Sequence, residues 1–223
     1  MFLFVAIDGP AGAGKSTIAR MLAQRFNINY MDTGAMYRAI TLKIIRKNVS
    51  LSDEESLRDL LNNTSIELVN PLTENLVFLD GEDVTEEIRG SEVNQWVSQV
   101  SSLKMVRQAM VEQQRQLAHK WEGVVMDGRD IGTCVLPEAS FKFYLDASQE
   151  ERTRRRWQEL KDKGKELPWE EVEKTITQRD DIDKNRSESP LKVPPGAVVL
   201  DTTHLDIEGV LQKVTEYIKQ QKG

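Results

Sequence analysis

A glycine-rich segment at residues 9–16 constrains the fold of this chain more than any other feature. It has the sequence Gly-Pro-Ala-Gly-Ala-Gly-Lys-Ser and follows the apolar run at residues 3–7 after one aspartate. This spacing is that of a P-loop, in which glycines let backbone N–H groups turn toward phosphate oxygens while the following helix points its positive dipole end at the same place. The sequence therefore predicts a strand, a phosphate-binding loop and a helix in succession.

The polar residues of this segment have expected tasks. Lys15 would reach the outer phosphates of a nucleoside triphosphate, and the Ser16 hydroxyl would bind Mg²⁺. The alternative is a glycine-rich turn with a solvated lysine, but the position between a strand and a helix favours phosphate binding. The residues expected to hold the donor nucleotide are Gly9, Pro10, Ala11, Gly12, Ala13, Gly14, Lys15, Ser16 and Thr17.

Four more apolar runs are typical of strands and alternate with helix-like stretches, which indicates an α/β fold with a mostly parallel sheet. They lie at residues 28–31, 123–126, 141–145 and 197–200. Aspartates directly follow strand-like runs at Asp8, Asp32, Asp127 and Asp201. Because ligands of such sheets bind beyond the carboxyl ends of the strands, these aspartates indicate where a site would lie.

The pattern changes at residues 50–92. Short alternating segments at 65–69 and 76–79 are followed by Asp80-Gly81, a turn signal typical of hairpins. This stretch carries two basic and twelve acidic residues, a net charge of −10. We interpret it as a small acidic subdomain inserted into a single domain that spans residues 1–223.

Composition excludes several classes of function. The chain has 30 Lys and Arg residues against 36 Asp and Glu residues, a net charge of −6, which argues against a nucleic-acid surface. Its apolar runs fall far short of the roughly 18 residues that span a bilayer, so we expect no membrane segment. Cys134 is the single cysteine, so no intramolecular disulfide can form, and we expect a reducing, cytoplasmic location.

The P-loop alone leaves kinases, ATPases, GTPases and motor proteins open. The guanine-binding string N-K-x-D is absent, and the chain length and the many arginines favour a small kinase. A second phosphate could bind at D-T-G-A-M-Y-R, residues 32–38, or at D-G-R-D, residues 127–130. From these strings alone, a helix capped by Thr33 with a solvated Arg38, or a turn with a local ion pair, remains an equal alternative.

Three strings taken together resemble the nucleoside monophosphate kinases, and within them the bacterial cytidylate kinases. They are residues 32–38, the G-E-D-V-T-E-E-I-R string at 81–89, and D-G-R-D-I-G-T at 127–133. The resemblance implies a five-stranded parallel sheet with helices on both faces, a lid and a small β-containing insertion for the monophosphate. It also implies transfer of the γ-phosphoryl group of ATP to CMP or dCMP with Mg²⁺, by a monomer.

Residue roles follow from the same resemblance. Arg38 and Arg129 would hold the CMP phosphate, while Ser98, Arg107 and Asp130 would contact cytosine. The full set expected to bind the acceptor is Asp32, Thr33, Tyr37, Arg38, Ser98, Arg107, Arg129, Asp130, Arg179 and Asp183. The set expected to act in catalysis is Lys15, Asp127, Arg129, Arg155 and Arg186, with Asp127 or Asp32 ordering the metal's water shell.

Helix geometry adds one condition. Ser98 and Arg107 are nine residues apart, so at about 100° per residue they would lie on opposite faces of an unbroken helix. Both can contact one base only if the helix breaks, and Ser101-Ser102 is the expected place because serine is a weak helix former.

Two arginine-rich segments remain. Residues 150–168 contain Arg152, Arg154, Arg155 and Arg156 and are expected to form a closing lid, the alternative being a solvated charged face. Arg179, Asp183 and Arg186 fall on one helical face, where they would contact nucleotide or, alternatively, form a surface ion-pair ladder.

Two other functions stay open at this stage. One is a P-loop kinase for another small acceptor, such as UMP or a non-nucleotide metabolite. The other is a nucleotide-gated switch that phosphorylates nothing, against which the missing guanine motif and the many arginines argue.

Overall fold

The structure is a computed structural model that describes residues 3–69 and 75–222. Its strands are β1 Leu3–Asp8, β2 Asn29–Asp32, β3 Ile66–Val69, β4 Leu76–Leu79, β5 Glu82–Asp83, β6 Gly123–Gly128, β7 Phe141–Asp146 and β8 Val198–Asp201. Its helices are α1 Lys15–Phe26, α2 Thr33–Arg46, α3 Glu54–Asn62, α4 Ser91–Ser102, α5 Lys104–His119, α6 Gln149–Asp162, α7 Trp169–Asn185 and α8 Ile207–Lys222.

The main sheet has five parallel strands in the order β2-β6-β1-β7-β8. All five predicted runs form these strands, and the predicted fold class is confirmed. Helices cover both faces: Val5 and Ile7 of β1 pack toward α1 and α8, while Ala6 packs toward α2, α4 and α5. The alternation follows from the two-residue period of a strand. Because β1 is central, the P-loop that follows it emerges in the middle of the carboxyl edge.

The region at residues 50–92 contains a second, antiparallel sheet in the order β3-β4-β5. It also contains α3, which the sequence analysis did not predict. Asp53 caps this helix by accepting from the Ser56 N–H, and Leu57, Leu60 and Leu61 form its buried face. The segment at residues 70–74, between β3 and β4, lies outside the described residues.

The small sheet is attached to α2 by side chains of that helix. Lys43 Nζ lies 2.6 Å from the Asp80 carboxylate and also donates to the carbonyl of Asn63, at the end of α3. Arg46 pairs with Glu82 and Glu87. The string at residues 32–38 lies at the start of α2, and the Arg46 ion pairs hold the string at residues 81–89 to the same helix. Whether residues 50–92 act as a monophosphate-binding unit stays a prediction.

The expected break between Ser98 and Arg107 is present. Helix α4 ends at Ser102, Leu103 has an extended backbone with φ −69° and ψ 126°, and α5 begins at Lys104. The break therefore lies one residue beyond the expected serine pair. It turns the amino end of α5 back toward the carboxyl edge of β6.

Residues 150–168 form most of α6 and the connection to α7. Gly164, with φ 70°, makes the turn, and Trp157 Nε1 donates a 3.0 Å hydrogen bond to the carbonyl of Leu167. Across the described residues, none of the helices has the length and apolar character needed to cross a bilayer.

Candidate active site

The P-loop backbone has positive φ angles at three glycines, Gly9, Gly12 and Gly14. Gly9 has φ 147°, and a Cβ there would lie 2.0 Å from the carbonyl oxygen of Leu145 in β7. Gly14 has φ 81° and stands at the amino end of α1, where no side chain among the described residues caps the helix. The first N–H groups of α1 and its positive dipole end are thus directed at the loop, as an anion site requires.

Lys15 lies within this loop and is only 6% exposed. Its Nζ donates a 2.7 Å hydrogen bond to the carbonyl of Pro10. Burial lowers the pKa of Lys15 well below its usual value, and the positive charge of Arg129 lowers that pKa further. A bound phosphate would stabilise the buried ammonium group, because its negative charge compensates for the water that the group loses on burial.

Ser16 and Asp127 meet beside the loop. Ser16 Oγ donates a 2.8 Å hydrogen bond to Asp127 Oδ2, and Tyr30 OH donates one of 2.8 Å to Asp127 Oδ1. Burial raises the pKa of Asp127 to about 6, and the neighbouring charge of Asp32 adds to this effect. A buried carboxylate at this position is therefore costly to ionise until a cation arrives.

These oxygen atoms fit Mg²⁺. Magnesium in nucleotide sites is held by one or two protein oxygen ligands, by substrate phosphates and by retained waters. Ser16 and Asp127 supply a hydroxyl and a carboxylate, and Asp32 stands opposite Asp127 in the pairing of β2 with β6. Within residues 3–69 and 75–222 no group of three or more His, Cys, Asp or Glu side chains forms a complete metal cage.

Arginines cluster near the loop on the acceptor side. Burial lowers the pKa of Arg179 to about 9, and the charges of Arg129 and Arg38 lower it further. Burial likewise lowers the pKa of Arg38, with Arg156 among the charges that add to the effect. Mutual repulsion among guanidinium groups is relieved when a polyanion binds between them. The cluster therefore has the positive charge that a second phosphate would require.

Acidic partners hold part of this cluster in place. Arg129 Nε donates a 2.7 Å hydrogen bond to Asp183 Oδ2, and Arg186 lies 3.5 Å from the other oxygen of Asp183. Burial opposes ionisation of Asp183, yet Arg129, Arg179 and Arg186 hold its pKa below the usual value. The predicted face of α7 therefore makes buried ion pairs and is not a surface ladder.

A group of buried polar side chains lies next to the arginine cluster. Arg107 donates to Asp130 Oδ2 at 2.5 Å and to the carbonyl of Ser101 at 3.1 Å, and its guanidinium lies 5.3 Å from the centre of the Tyr37 ring. Arg186 approaches Asp130 Oδ1 at 3.5 Å. Two buried atoms, Tyr37 OH and Arg107 Nε, have no hydrogen-bond partner among the described residues. Buried donors left without partners are costly, so they point to a polar ligand.

The amino end of α2 differs from one sequence alternative. Asp32, not Thr33, caps the helix by accepting from the Ala35 N–H at 3.0 Å. Thr33 Oγ1 instead donates to the backbone carbonyl of Asp127 at 2.7 Å. Arg38 is half-buried and donates to Asn94 Oδ1 at 2.7 Å, so it is not a solvated arginine. Asp32 therefore caps α2, while the Thr33 hydroxyl is bound to the backbone of β6.

Ser98 lies half-buried on α4, four residues after Asn94 and hence on the same helical face. This places it on the face of α4 that meets Arg38 of α2. Its contact with a base stays a prediction.

A family model described as cytidylate kinase matches residues 5–220. The chain belongs to the cytidylate kinase family. A cytidylate kinase of Caldanaerobacter subterraneus subsp. tengcongensis is 53% identical over 216 residues, which cover 97% of this chain and 94% of that protein. The cytidylate kinase of Bacillus subtilis is 48% identical over 218 residues, covering 98% of this chain and 97% of that protein. The family resemblance carried by the sequence motifs is confirmed.

A solved structure shares the fold at much lower identity. Shikimate kinase from Bacteroides thetaiotaomicron has a TM-score of 0.50 at 13% identity, and the match covers 98% of this chain and 99% of that chain. This likeness shows the architecture alone.

The four arginines of α6 make different contacts, and whether this region closes as a lid stays a prediction. Arg155 donates to the hydroxyl and carbonyl of Thr202, at 3.0 and 2.6 Å, and lies beside Gly14 on the donor side. Arg156 is the one whose charge acts on Arg38 and Arg179. Arg154 is exposed and pairs with Glu151. The sequence analysis named Arg155 as a catalytic residue. The one signal for Arg156 is its position on a different face of α6.

Arg152 is buried and joins three parts of the structure. It donates to the carbonyl of Ala11 at 3.0 Å and to Asp180 Oδ2 at 2.6 Å, while Asp180 Oδ1 accepts from the Ala11 N–H at 3.2 Å. The P-loop is thus held to α6 and α7 through one ion pair. Asp180 was not predicted as a site residue, because it is one of several acidic residues on α7.

Proposed function

We propose that this protein transfers the γ-phosphoryl group of ATP to CMP and dCMP, yielding ADP and CDP or dCDP, with Mg²⁺ bound in the site. The observation that carries the proposal is the buried polar group of Tyr37, Arg107 and Asp130, which adjoins an arginine cluster beside the P-loop. The polar group suits a base and the arginine cluster suits a phosphate. Membership in the cytidylate kinase family supports this assignment.

The chemistry needs no covalent enzyme intermediate. An oxygen of the CMP phosphate attacks the γ-phosphorus in line, the bond to the β–γ bridging oxygen breaks, and ADP leaves with its electron pair. Lys15 and the arginines Arg129 and Arg186 would stabilise the charge on the moving group, and Arg155 would act from the donor side. Positioning and charge neutralisation account for most of the rate in such reactions.

Ser16 and Asp127 would hold Mg²⁺. The ion supplies charge neutralisation at the β- and γ-phosphates of the donor. The chain contributes the Ser16 hydroxyl and the Asp127 carboxylate, which Tyr30 orients with its 2.8 Å hydrogen bond. Asp32 would accept from metal-bound water, since it stands beside Asp127 at the strand ends.

Base selection would depend on the carboxylate of Asp130. Cytosine presents an exocyclic amine that donates and a ring nitrogen and carbonyl that accept, whereas uracil presents a carbonyl in place of the amine. A carboxylate accepts from the amine and repels the carbonyl. Arg107 would donate to the accepting atoms, and its Nε has no hydrogen-bond partner among the described residues. Ser98 would complete the set from α4.

Asp183 and Arg179 would contact the sugar and phosphate of the acceptor. Both lie on α7, and Asp183 already orients Arg129. Every residue of the proposed site comes from one chain, so a monomer suffices. ATP and CMP are cytoplasmic metabolites, and we place the enzyme there.

The proposal is tested by a coupled assay that measures ADP formation from ATP with CMP, dCMP, UMP, AMP or shikimate as acceptor. We expect CMP and dCMP to give ADP well above the ATP-only blank, UMP to give less, and AMP and shikimate to give none. Equal rates with UMP and CMP would remove Asp130 from base selection. A rate at the blank with both cytosine nucleotides would overturn the proposed function.

A further inference from the structure

Asp8, the last residue of β1, is fully buried, and its carboxylate belongs to neither of the phosphate sites described above. Its Oδ1 accepts a 2.7 Å hydrogen bond from the Ile131 N–H, and its Oδ2 accepts one of 2.7 Å from the Gly132 N–H. Hydrogen bonds from backbone amides to a carboxylate are about twice as strong as neutral ones. Asp8 therefore holds the backbone that directly follows Asp130.

The two amides open a short π-type turn, Ile131–Val135, and Asp130 is the N-cap residue directly before it. An aspartate at such a position commonly caps its own turn with its side chain. Asp130 makes no capping bond; its carboxylate faces Arg107 at 2.5 Å and Arg186 at 3.5 Å. A capping side chain at this position would accept from the N–H of Gly132 or Thr133, and Asp8 already occupies the Gly132 N–H.

We propose that Asp8 is a positioning residue for acceptor recognition, because it caps the turn in place of Asp130 and thereby frees the Asp130 carboxylate to face Arg107 and the base. This inference rests on the proposed function, since it concerns how CMP is bound. The neighbouring packing supports it: a Cβ on Gly132 would lie 2.9 Å from Pro194 and 3.2 Å from Asp8 Oδ2, so the turn has no room to shift.

The competing role is on the donor side. Asp8 directly precedes Gly9, so in this alternative its carboxylate anchors the P-loop and has no effect on the acceptor. The two roles differ in which substrate suffers when the carboxylate is lost. Loss of positioning affects CMP, while loss of loop anchoring affects ATP.

The test measures kcat and the KM of both substrates for Asp8→Asn, Asp130→Ala and the double variant. An asparagine keeps the volume but cannot accept both amides, since one of its terminal atoms is a donor. We expect Asp8→Asn to raise the KM for CMP about tenfold, to leave the KM for ATP within about twofold, and to lower the preference for CMP over UMP. In the Asp130→Ala background it should change the KM for CMP less than about twofold.

A matched control is Asp206→Asn, because Asp206 also caps a backbone N–H, that of Gly209 at 2.8 Å, but lies at the exposed start of α8. It should leave both KM values unchanged. If Asp8→Asn does not fold, Gly132→Ala tests the same contact from the other side and should raise the KM for CMP alone.

Three outcomes would overturn the inference. They are an equal rise in KM for ATP and CMP, the same rise in KM for CMP with and without Asp130, and an unchanged KM for CMP in both Asp8→Asn and Gly132→Ala. The wild-type assay separates this from the proposed function. If the wild type itself phosphorylates no CMP, both fail; if it does and Asp8→Asn behaves as wild type, only the positioning role fails.

Discussion

Ser16 Oγ donates a 2.8 Å hydrogen bond to Asp127 Oδ2, which joins the first turn of α1 to the end of β6 across 111 residues of sequence. The bond places a hydroxyl and a carboxylate side by side, where the first turn of α1 meets the end of β6. Tyr30 binds the second carboxylate oxygen, so the group is fixed before any nucleotide arrives. The residues proposed to hold the donor, the metal and the acceptor are therefore joined by direct hydrogen bonds.

Lys15→Ala should lower kcat by about a hundredfold or more while the fold stays intact, because it removes a charge directed at the transferring phosphate. Steady-state kinetics and a thermal melt measure the two quantities. The control is Lys104→Ala, at an exposed lysine on α5. Unchanged turnover in Lys15→Ala would remove this residue from the mechanism.

Asp127→Asn should lower activity and raise stability in the absence of nucleotide and metal. Folding raises the pKa of Asp127 from 3.8 to about 6, so the ionised form is disfavoured in the native state. For the wild type this costs stability as the pH rises from about 4 to about 6, and the cost persists above that range. Asparagine does not ionise, so at pH 8 the variant should be more stable by about 1–2 kcal/mol.

Urea unfolding of both proteins at pH 4 and pH 8 checks this sign. The difference in unfolding free energy should be larger at pH 8. A wild type that is equally or more stable than Asp127→Asn at pH 8 would contradict the cost assigned to the buried carboxylate.

Asp130→Asn should reduce the discrimination between CMP and UMP, because an amide can donate to the uracil carbonyl that a carboxylate repels. Asp130→Ala should weaken CMP far more than ATP. It also leaves Arg107 buried without its partner, so its melting temperature should fall, whereas that of Asp130→Asn should fall less. Equal losses for CMP and ATP in both variants would assign Asp130 a structural role only.

Arg154 and Arg156 provide a matched pair of variants on α6. Arg156→Ala should lower kcat about tenfold or more, because Arg156 adds charge to the acceptor-side cluster. Arg154→Ala should change kcat less than about twofold, since Arg154 is exposed and Glu151 is its one acidic partner among the described residues. Similar losses in the two variants would mean that α6 contributes its total positive charge and that the face from which each arginine projects has no effect.

Local patterns predicted the parts of the fold that depend on local sequence. The five apolar runs form the five parallel strands, and the glycine pattern at residues 9–16 forms the loop between β1 and α1. The requirement that Ser98 and Arg107 share a pocket predicted a helix break, which occurs at Leu103. Helix α3 was not predicted, because the region was interpreted as alternating strands and the capping signal at Asp53 was not used.

Contacts between distant segments could not be read from sequence. The Asp8 carboxylate binds amides 123 and 124 residues away, and those donors are backbone groups that carry no residue signature. The different destinations of Arg152, Arg155 and Arg156 depend on how α6 packs against the P-loop and α7. Their identical side chains give no hint of this difference.

The most direct test of the account follows the transferred phosphorus itself. Wild-type protein is incubated with Mg²⁺, CMP and ATP labelled at the γ-phosphate, and the products are separated. We predict that the label appears in the β-phosphate of CDP, with inorganic phosphate no higher than in a reaction without protein. Label that accumulates in inorganic phosphate while CDP stays unlabelled would contradict phosphoryl transfer to CMP and indicate a nucleotide-hydrolysing switch.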